Sequence, residues 1–424
     1  MVHVWLFTLV SIGLLSGCRP QVNIRCGDGP PRHLQPGLIE SSGQVYLSAP
    51  DAQTMYAVRA SDGVTLWHHS PALFLLASDA EVIYLQSGPY AISALRASDG
   101  KTLWSKQSYD LFGSTWLTEA HGTLYTYQSS AGGVLHALQG DTGVQRWQTH
   151  LPPPALPPPA ALQVTNGAVY VLSHSGQLLA LSEQTGTGLW QADLAPSSAP
   201  NAPVFLVLPQ GVIYAYTTEL QARRASDGQL LWQNEDQGLA LPPAIQDEGS
   251  PALLHLQGIL YLRTLREIDA FRASDGQLLW SHSAGIYATA QLGDGILYTV
   301  GSSEPGFGGR DVVEALRASD GHLLWRYQAS ASSIQLFVTA ANLLTYLLAT
   351  PIGGASATLL AKQATDGTLR WESSVKAASM LLADGSLYLG LAGNSDGTCY
   401  AIAASQMEKL RPADGTPIWQ IHVS

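Results

Sequence analysis

The chain has 424 residues, a formal net charge of −11 and only 12% charged residues, about half the roughly 25% usual in soluble domains. The acid excess, with no concentrated Lys/Arg face, excludes a nucleic-acid partner, because phosphate binding depends on such a face. With 41 Gly, 24 Pro and 3 Cys, the composition suits many short strands and tight turns, in two or three ordinary domains or one large closed β structure.

Residues 4 to 17, VWLFTLVSIGLLSG, are apolar and uncharged. The run is shorter than the about 20 residues of a membrane span but suits the core of a signal peptide. Leu15-Ser16-Gly17-Cys18 resembles a bacterial lipobox, in which small residues admit the peptidase before a Cys that carries lipid. The departure is the stretch before it, which has His3 but no Lys or Arg. The reading is a signal peptide over 1–17, lipidation of Cys18, and residence on the periplasmic or cell-surface side with membrane contact through the lipid alone. An ordinary signal peptide, or a short anchor beside an incidental Cys, is the competing reading. Residues 19 to 36, RPQVNIRCGDGPPRHLQP, form a polar, Pro-rich tether. With Cys18 acylated, Cys26 and Cys399 remain, an even pair in a compartment where disulfides persist.

From about residue 37 the chain repeats. RASDGQLLW stands verbatim at Arg224 to Trp232 and again at Arg272 to Trp280. Relatives of this motif give nine copies ending in Trp67, Trp104, Trp147, Trp190, Trp232, Trp280, Trp325, Trp371 and Trp419, spaced 37 to 48 residues apart. A second landmark precedes each motif: a turn residue, an apolar pair and Tyr, ending at Tyr46, Tyr84, Tyr125, Tyr170, Tyr214, Tyr261, Tyr298 and Tyr388. In the eighth copy Thr345 takes the Tyr position. Within a copy, short runs of Val, Ile, Leu, Tyr and Thr lie between Gly, Asp, Asn and Ser, which reads as strands and hairpins. Copy six divides into ALLHL, ILYLRT, IDAFRA and QLLW, so four strands per copy are predicted. Asp-Gly favours a hairpin turn, since Gly accepts positive φ and Asp bonds nearby backbone. The Trp beyond it is a large rigid contact that can fasten one unit to the next.

Other local features are read in chain order. His68 and His69 follow Trp67 on a strand, where neighbours face opposite ways and cannot easily share a metal. Gly100-Lys101-Thr102 lacks the first Gly of a phosphate loop, since position 95 is Leu. LPPPALPPPA at 151–160 is a polyproline II connector between the third and fourth copies. SHSAG at 281–285 has Ser281 where a nucleophile elbow needs Gly, and no helix follows. The motif aspartates Asp62, Asp99, Asp227, Asp275, Asp320, Asp366 and Asp414 each cap their own hairpin and do not form a carboxylate ring. The longest departures from the repeat, 301–311, 349–357 and 403–415, read as loops that either carry function or are tolerated insertions.

A four-stranded repeat of about 44 residues marks a β-propeller blade, which cannot bury its faces alone. Over about residues 37–424 the copies, with Ala, a turn ending in Thr-Gly or Asp-Gly, then Trp, resemble the pyrroloquinoline-quinone-type, tryptophan-docking propeller repeat. The resemblance implies an all-β propeller of four-stranded blades, eight in the typical family member; nine complete copies imply either a nine-bladed ring or an eight-bladed ring with one terminal copy outside. Ring closure brings the chain ends together, so a Cys26 to Cys399 disulfide is expected, two unpaired cysteines being the alternative. Resemblance to quinoprotein dehydrogenases would imply a vicinal disulfide, calcium and a catalytic Asp, yet no Cys-Cys pair exists, so no cofactor, neither quinone nor calcium, and no catalytic residue is expected. In fold, repeat and anchor the chain is also similar to the lipoprotein propeller of the outer-membrane protein assembly machinery. The expected function is a non-catalytic scaffold that binds a protein or ligand at the cell envelope. The alternative is a quinone-dependent dehydrogenase-like enzyme, or a small-molecule sensor, using the central funnel.

Overall fold

Every copy of the repeat becomes one antiparallel sheet of four strands joined in sequence order, and nine such sheets form the ring of a β-propeller. The computed structural model describes residues 38–49, 54–72, 74–88, 91–107, 117–128, 133–152, 161–173, 175–194, 203–234, 252–264, 267–283, 286–302, 311–328, 332–338, 344–351, 356–383, 386–392 and 404–422. Cys18, Cys26, Cys399, the segment 1–17, the tether 18–36 and positions 153–160 of the proline-rich connector lie outside them. Among the described residues no helix is long and apolar enough to cross a membrane.

The blades span 38–69, 74–107, 117–150, 161–193, 204–234, 252–283, 286–328, 332–375 and 377–422, and are numbered 1 to 9 below. First strands approach one another at seven of the nine seams, blade 9 against blade 1 included, so they are the inner strands and the Trp-bearing fourth strands lie at the periphery. The question of eight blades or nine is settled at nine, with both terminal copies inside the ring. Among the described residues each blade is built from four consecutive strands of the chain.

The two sequence landmarks meet in each blade. Tyr on the second strand lies opposite a residue of the third strand, which in turn lies opposite Trp on the outer strand: Tyr46, Ala57 and Trp67 in blade 1, Tyr261, Ala270 and Trp280 in blade 6. The Ala leaves a gap over which the two rings tilt together, their centroids 5.9 to 6.2 Å apart around the ring. Blade 8 corrects the sequence reading by one position. Tyr346, not Thr345, pairs with Ala361 and contacts Trp371. Thr345 faces the other way and donates its hydroxyl to Tyr298 Oη at 3.0 Å. Blade 9 differs again, with Lys409 between Tyr388 and Trp419.

Each blade has two apolar faces, and the hydrophobic clusters straddle the seams. One joins Tyr298 and Val313 of blade 7 to Leu347 and Leu360 of blade 8; another joins Val45 and Leu47 of blade 1 to Tyr388 and Met407 of blade 9. Stacking is therefore what buries them. A second correction concerns 403–415: it is no loop, since Ala404–Leu410 is the third strand of blade 9 and the docking turn follows. The true departures join second to third strands, between Ser302 and Asp311 and between Pro351 and Ala357. Copy six holds its predicted division, as Ala252–Leu256, Ile259–Arg263, Glu267–Arg272 and Leu278–Ser283.

Candidate functional site

The seams are built from the repeated motif outward. Each Trp indole N–H donates to a backbone carbonyl of the following blade: Trp67 to Ala97, Trp104 to Gly140, Trp147 to Glu183, Trp190 to Ala225, Trp232 to Ala273, Trp280 to Ala318, Trp325 to Ala364, Trp371 to Pro412, and Trp419 back to Ala60, at 2.7 to 3.2 Å. In four blades the Tyr hydroxyl donates to the same carbonyl as the Trp, as Tyr214 does to Ala273. The ring lies flat on the next blade's motif glycine; at Gly100 a Cβ would stand 2.5 Å from Trp67. Glycine is needed there for space as well as for its φ of +67°. At the closing seam Lys409 Nζ adds a 2.8 Å hydrogen bond to Ala60 O and sits 5.3 Å from the Tyr388 ring centroid.

The motif aspartates stay within their own turns. Asp62, Asp99, Asp227, Asp275 and Asp320 each accept the backbone N–H two residues on and pair with the Arg three residues before. The backbone bond first, and the Arg as well, hold these carboxyls below the ordinary range. His68 lies tilted against the Tyr56 ring, centroids 6.1 Å apart, whereas His69 reaches the blade 2 backbone at Gly100, and burial lowers its pKa. Lys101 belongs to the docking turn, and Ser281 to Ser283 are outer strand.

Behind the Trp face, two positions can be compared from seam to seam: the residue two beyond Trp, and the residue just before the third-strand partner of Trp in the next blade. At seam 6/7 this pair is His282 and Glu314, 2.9 Å apart. At seam 8/9 it is Ser373 and Glu408, which border a cleft of about 360 Å³. A second hollow, of about 420 Å³, opens between blades 2 and 3 and is lined by Asp79, Glu81, Asp141 and Arg146 among others. Glu119 nearby is raised above the ordinary carboxyl range, by burial first and also by Asp79.

The outer rim shows what reading the repeat for its architecture overlooked. Blades 5 to 8 carry Leu two residues before Trp, at Leu230, Leu278, Leu323 and Leu369, which are 42 to 49% exposed. Leu231 and Leu279 beside the first two are also exposed. Blades 1 to 3 have Thr65, Thr102 and Gln145 in that place. The signal was present as QLLW, QLLW, HLLW and TLRW. Open strand edges bearing apolar side chains are surfaces on which another chain can pair or pack.

The sequence has no Cys-Cys pair, and among the described residues no three His, Cys, Asp or Glu side chains are placed to hold a metal ion.

A nine-bladed propeller of tryptophan-docked repeats defines the class. Within it, the chain belongs to the outer membrane protein assembly factor BamB family, whose model matches residues 90–239 and 265–424. No curated protein matches the chain significantly. Among solved structures, BamB from Moraxella catarrhalis is 16% identical, with 74% of this chain and 91% of that chain covered and a TM-score of 0.51. Sqt1 from Saccharomyces cerevisiae is 10% identical, with 76% and 94% covered and a TM-score of 0.54. The computationally designed Ika8 protein is 16% identical, with 80% and 97% covered and a TM-score of 0.52. At such identities the likeness shows the fold alone.

Proposed function

We propose that this chain is an exported, lipid-anchored propeller that serves as a non-catalytic protein-binding scaffold at the cell envelope, within outer-membrane protein assembly. The observation that carries the reading is the BamB family match, which takes in blades 3, 4, 5, 7, 8 and 9 whole and the last two strands of blades 2 and 6. The rim leucines of blades 5 to 8 support it, because exposed apolar side chains on a rigid edge suit a protein partner better than a small substrate. Cys18 supplies the anchor, and the polar, Pro-rich residues 19–36 join it to the first blade in sequence.

The test is a pull-down from detergent-solubilised envelope with the lipidated protein, beside Cys18→Ser and a Leu278→Glu, Leu279→Glu double variant. A stoichiometric partner that the double variant captures roughly tenfold less well is the expected result, since a few apolar side chains dominate such interfaces. Absence of any partner, together with a small molecule retained in the purified protein, would overturn the reading and direct attention to the central funnel.

A further inference from the structure

The repeat contains its own comparison for the cleft between blades 8 and 9. At seam 6/7, Glu314 on the third strand of blade 7 is only 13% exposed and is held by an imidazole and a guanidinium of its own chain. His282 Nε2 reaches it across the seam at 2.9 Å, and Arg326 Nε approaches from the neighbouring outer strand at 3.6 Å. Register fixes the equivalents at seam 8/9. Glu408 lies opposite Gln420 as Glu314 lies opposite Arg326, and Ser373 stands two residues past Trp371 as His282 stands two past Trp280. The carboxylate is kept there, and both the imidazole and the guanidinium are gone.

The missing side-chain volume appears as the cleft of about 360 Å³, lined by Ser373, Ser374, Gln406, Glu408 and Gln420, with Lys376 also on its wall. Seam 7/8 fills this place with Tyr327, packed against the cluster that holds Leu360. Among the described residues Glu408 makes no hydrogen bond or ion pair, with Lys376 or with any other group. The two glutamines hold each other, Gln420 Nε2 donating to Gln406 Oε1 at 3.1 Å, while Gln406 Nε2 meets His422 Nδ1 at 2.9 Å. Burial alone raises the Glu408 pKa, the cost of a carboxyl facing a cleft without its cation.

We propose that the cleft between blades 8 and 9 binds a guanidinium group, with Glu408 as its carboxylate and Ser373 and Gln420 as flanking acceptors. A slot between two stacked sheets suits a flat cation. Guanidinium also presents paired N–H groups to a carboxylate and is less strongly hydrated than an ammonium. The inference does not rest on the scaffold reading, since the group can belong to a free guanidino compound or to an arginine of a partner protein.

Calorimetric titration of the full chain with N-acetyl-arginine amide, N-acetyl-lysine amide and the peptide Gly-Gly-Arg-Gly-Gly tests this. Saturable binding of the arginine probes is expected, with the lysine probe weaker by about tenfold. Glu408→Gln should lower arginine-probe affinity by about tenfold or more. Ser373→His, which restores the imidazole of seam 6/7, should block binding without lowering the melting temperature, and Glu314→Gln should leave binding unchanged. Equal affinity for amide and peptide assigns the site to a small compound; a peptide advantage of about tenfold assigns it to a partner's arginine. No saturable binding of either arginine probe, or binding indifferent to both Glu408→Gln and Ser373→His, would overturn the proposal.

Discussion

Gly100 and Gly122 have nearly the same backbone, with φ of +67° and +69°, yet only Gly100 lies under a tryptophan. This makes them a matched pair for measuring the docking contact. Alanine at either position must adopt a left-handed conformation, at a cost of about 1–2 kcal/mol. At Gly122 nothing lies within 4 Å of the added carbon, so that cost is the whole effect. At Gly100 the new Cβ would stand 2.5 Å from Trp67 Cε3 and 2.6 Å from Cδ2. The indole must withdraw, which adds about 1–3 kcal/mol of overpacking and strains or breaks the Trp67 hydrogen bond to Ala97, worth about 1 kcal/mol. Gly100→Ala should therefore cost roughly 2–4 kcal/mol more than Gly122→Ala. Urea unfolding followed by tryptophan fluorescence and far-ultraviolet circular dichroism reads the difference from the two midpoints, provided the slopes agree. Equal midpoint shifts would refute the claim that the motif glycine is required by its neighbour's ring.

Alkaline pH should loosen the ring through its buried tyrosines. Burial pushes Tyr46, Tyr125, Tyr261 and Tyr346 up to about 12, whereas an unfolded phenol ionises near pH 10. Above about pH 10 the unfolded state sheds protons that the folded state keeps, so stability intact below that pH falls at up to about 1.4 kcal/mol per pH unit for each tyrosine until the folded value is reached. A urea midpoint that stays flat between pH 9 and 11 would contradict this. Non-reducing mass spectrometry of the mature protein should show Cys26 joined to Cys399, and two free thiols would remove that pairing.

Most of the architecture was legible because the repeat writes local rules nine times. Asp-Gly fixes a hairpin, Trp and Tyr mark two strands, and alternation within those strands decides which face is buried. Tyr346 escaped because the turn before it differs by one residue, and a one-residue slip is decided by pairing with Ala361, which no local pattern reveals. The segment 403–415 was misread because Met407, Glu408 and Lys409 replace the small and apolar residues that mark a third strand elsewhere. The cleft at Glu408 was invisible for a different reason. Its walls come from two copies, and its character lies in what Ser373 fails to fill, which only the comparison with His282 and Glu314 exposes.

Because, among the described residues, each blade is completed by a contiguous run of chain, the propeller is a ring with no strand shared between its two ends. A blade can form as soon as its own residues are available and then serve as the template on which the next one stacks. Eight seams are made between units already tethered in sequence. The ninth is a meeting of the two ends, in which Trp419 and Lys409 both converge on the single carbonyl of Ala60. Inserting or deleting one whole unit would leave every strand pairing untouched and would alter only the curvature that brings that carbonyl within reach. The closing seam is otherwise built like the rest, with Val45 and Leu47 of blade 1 packed against Tyr388 and Met407 of blade 9.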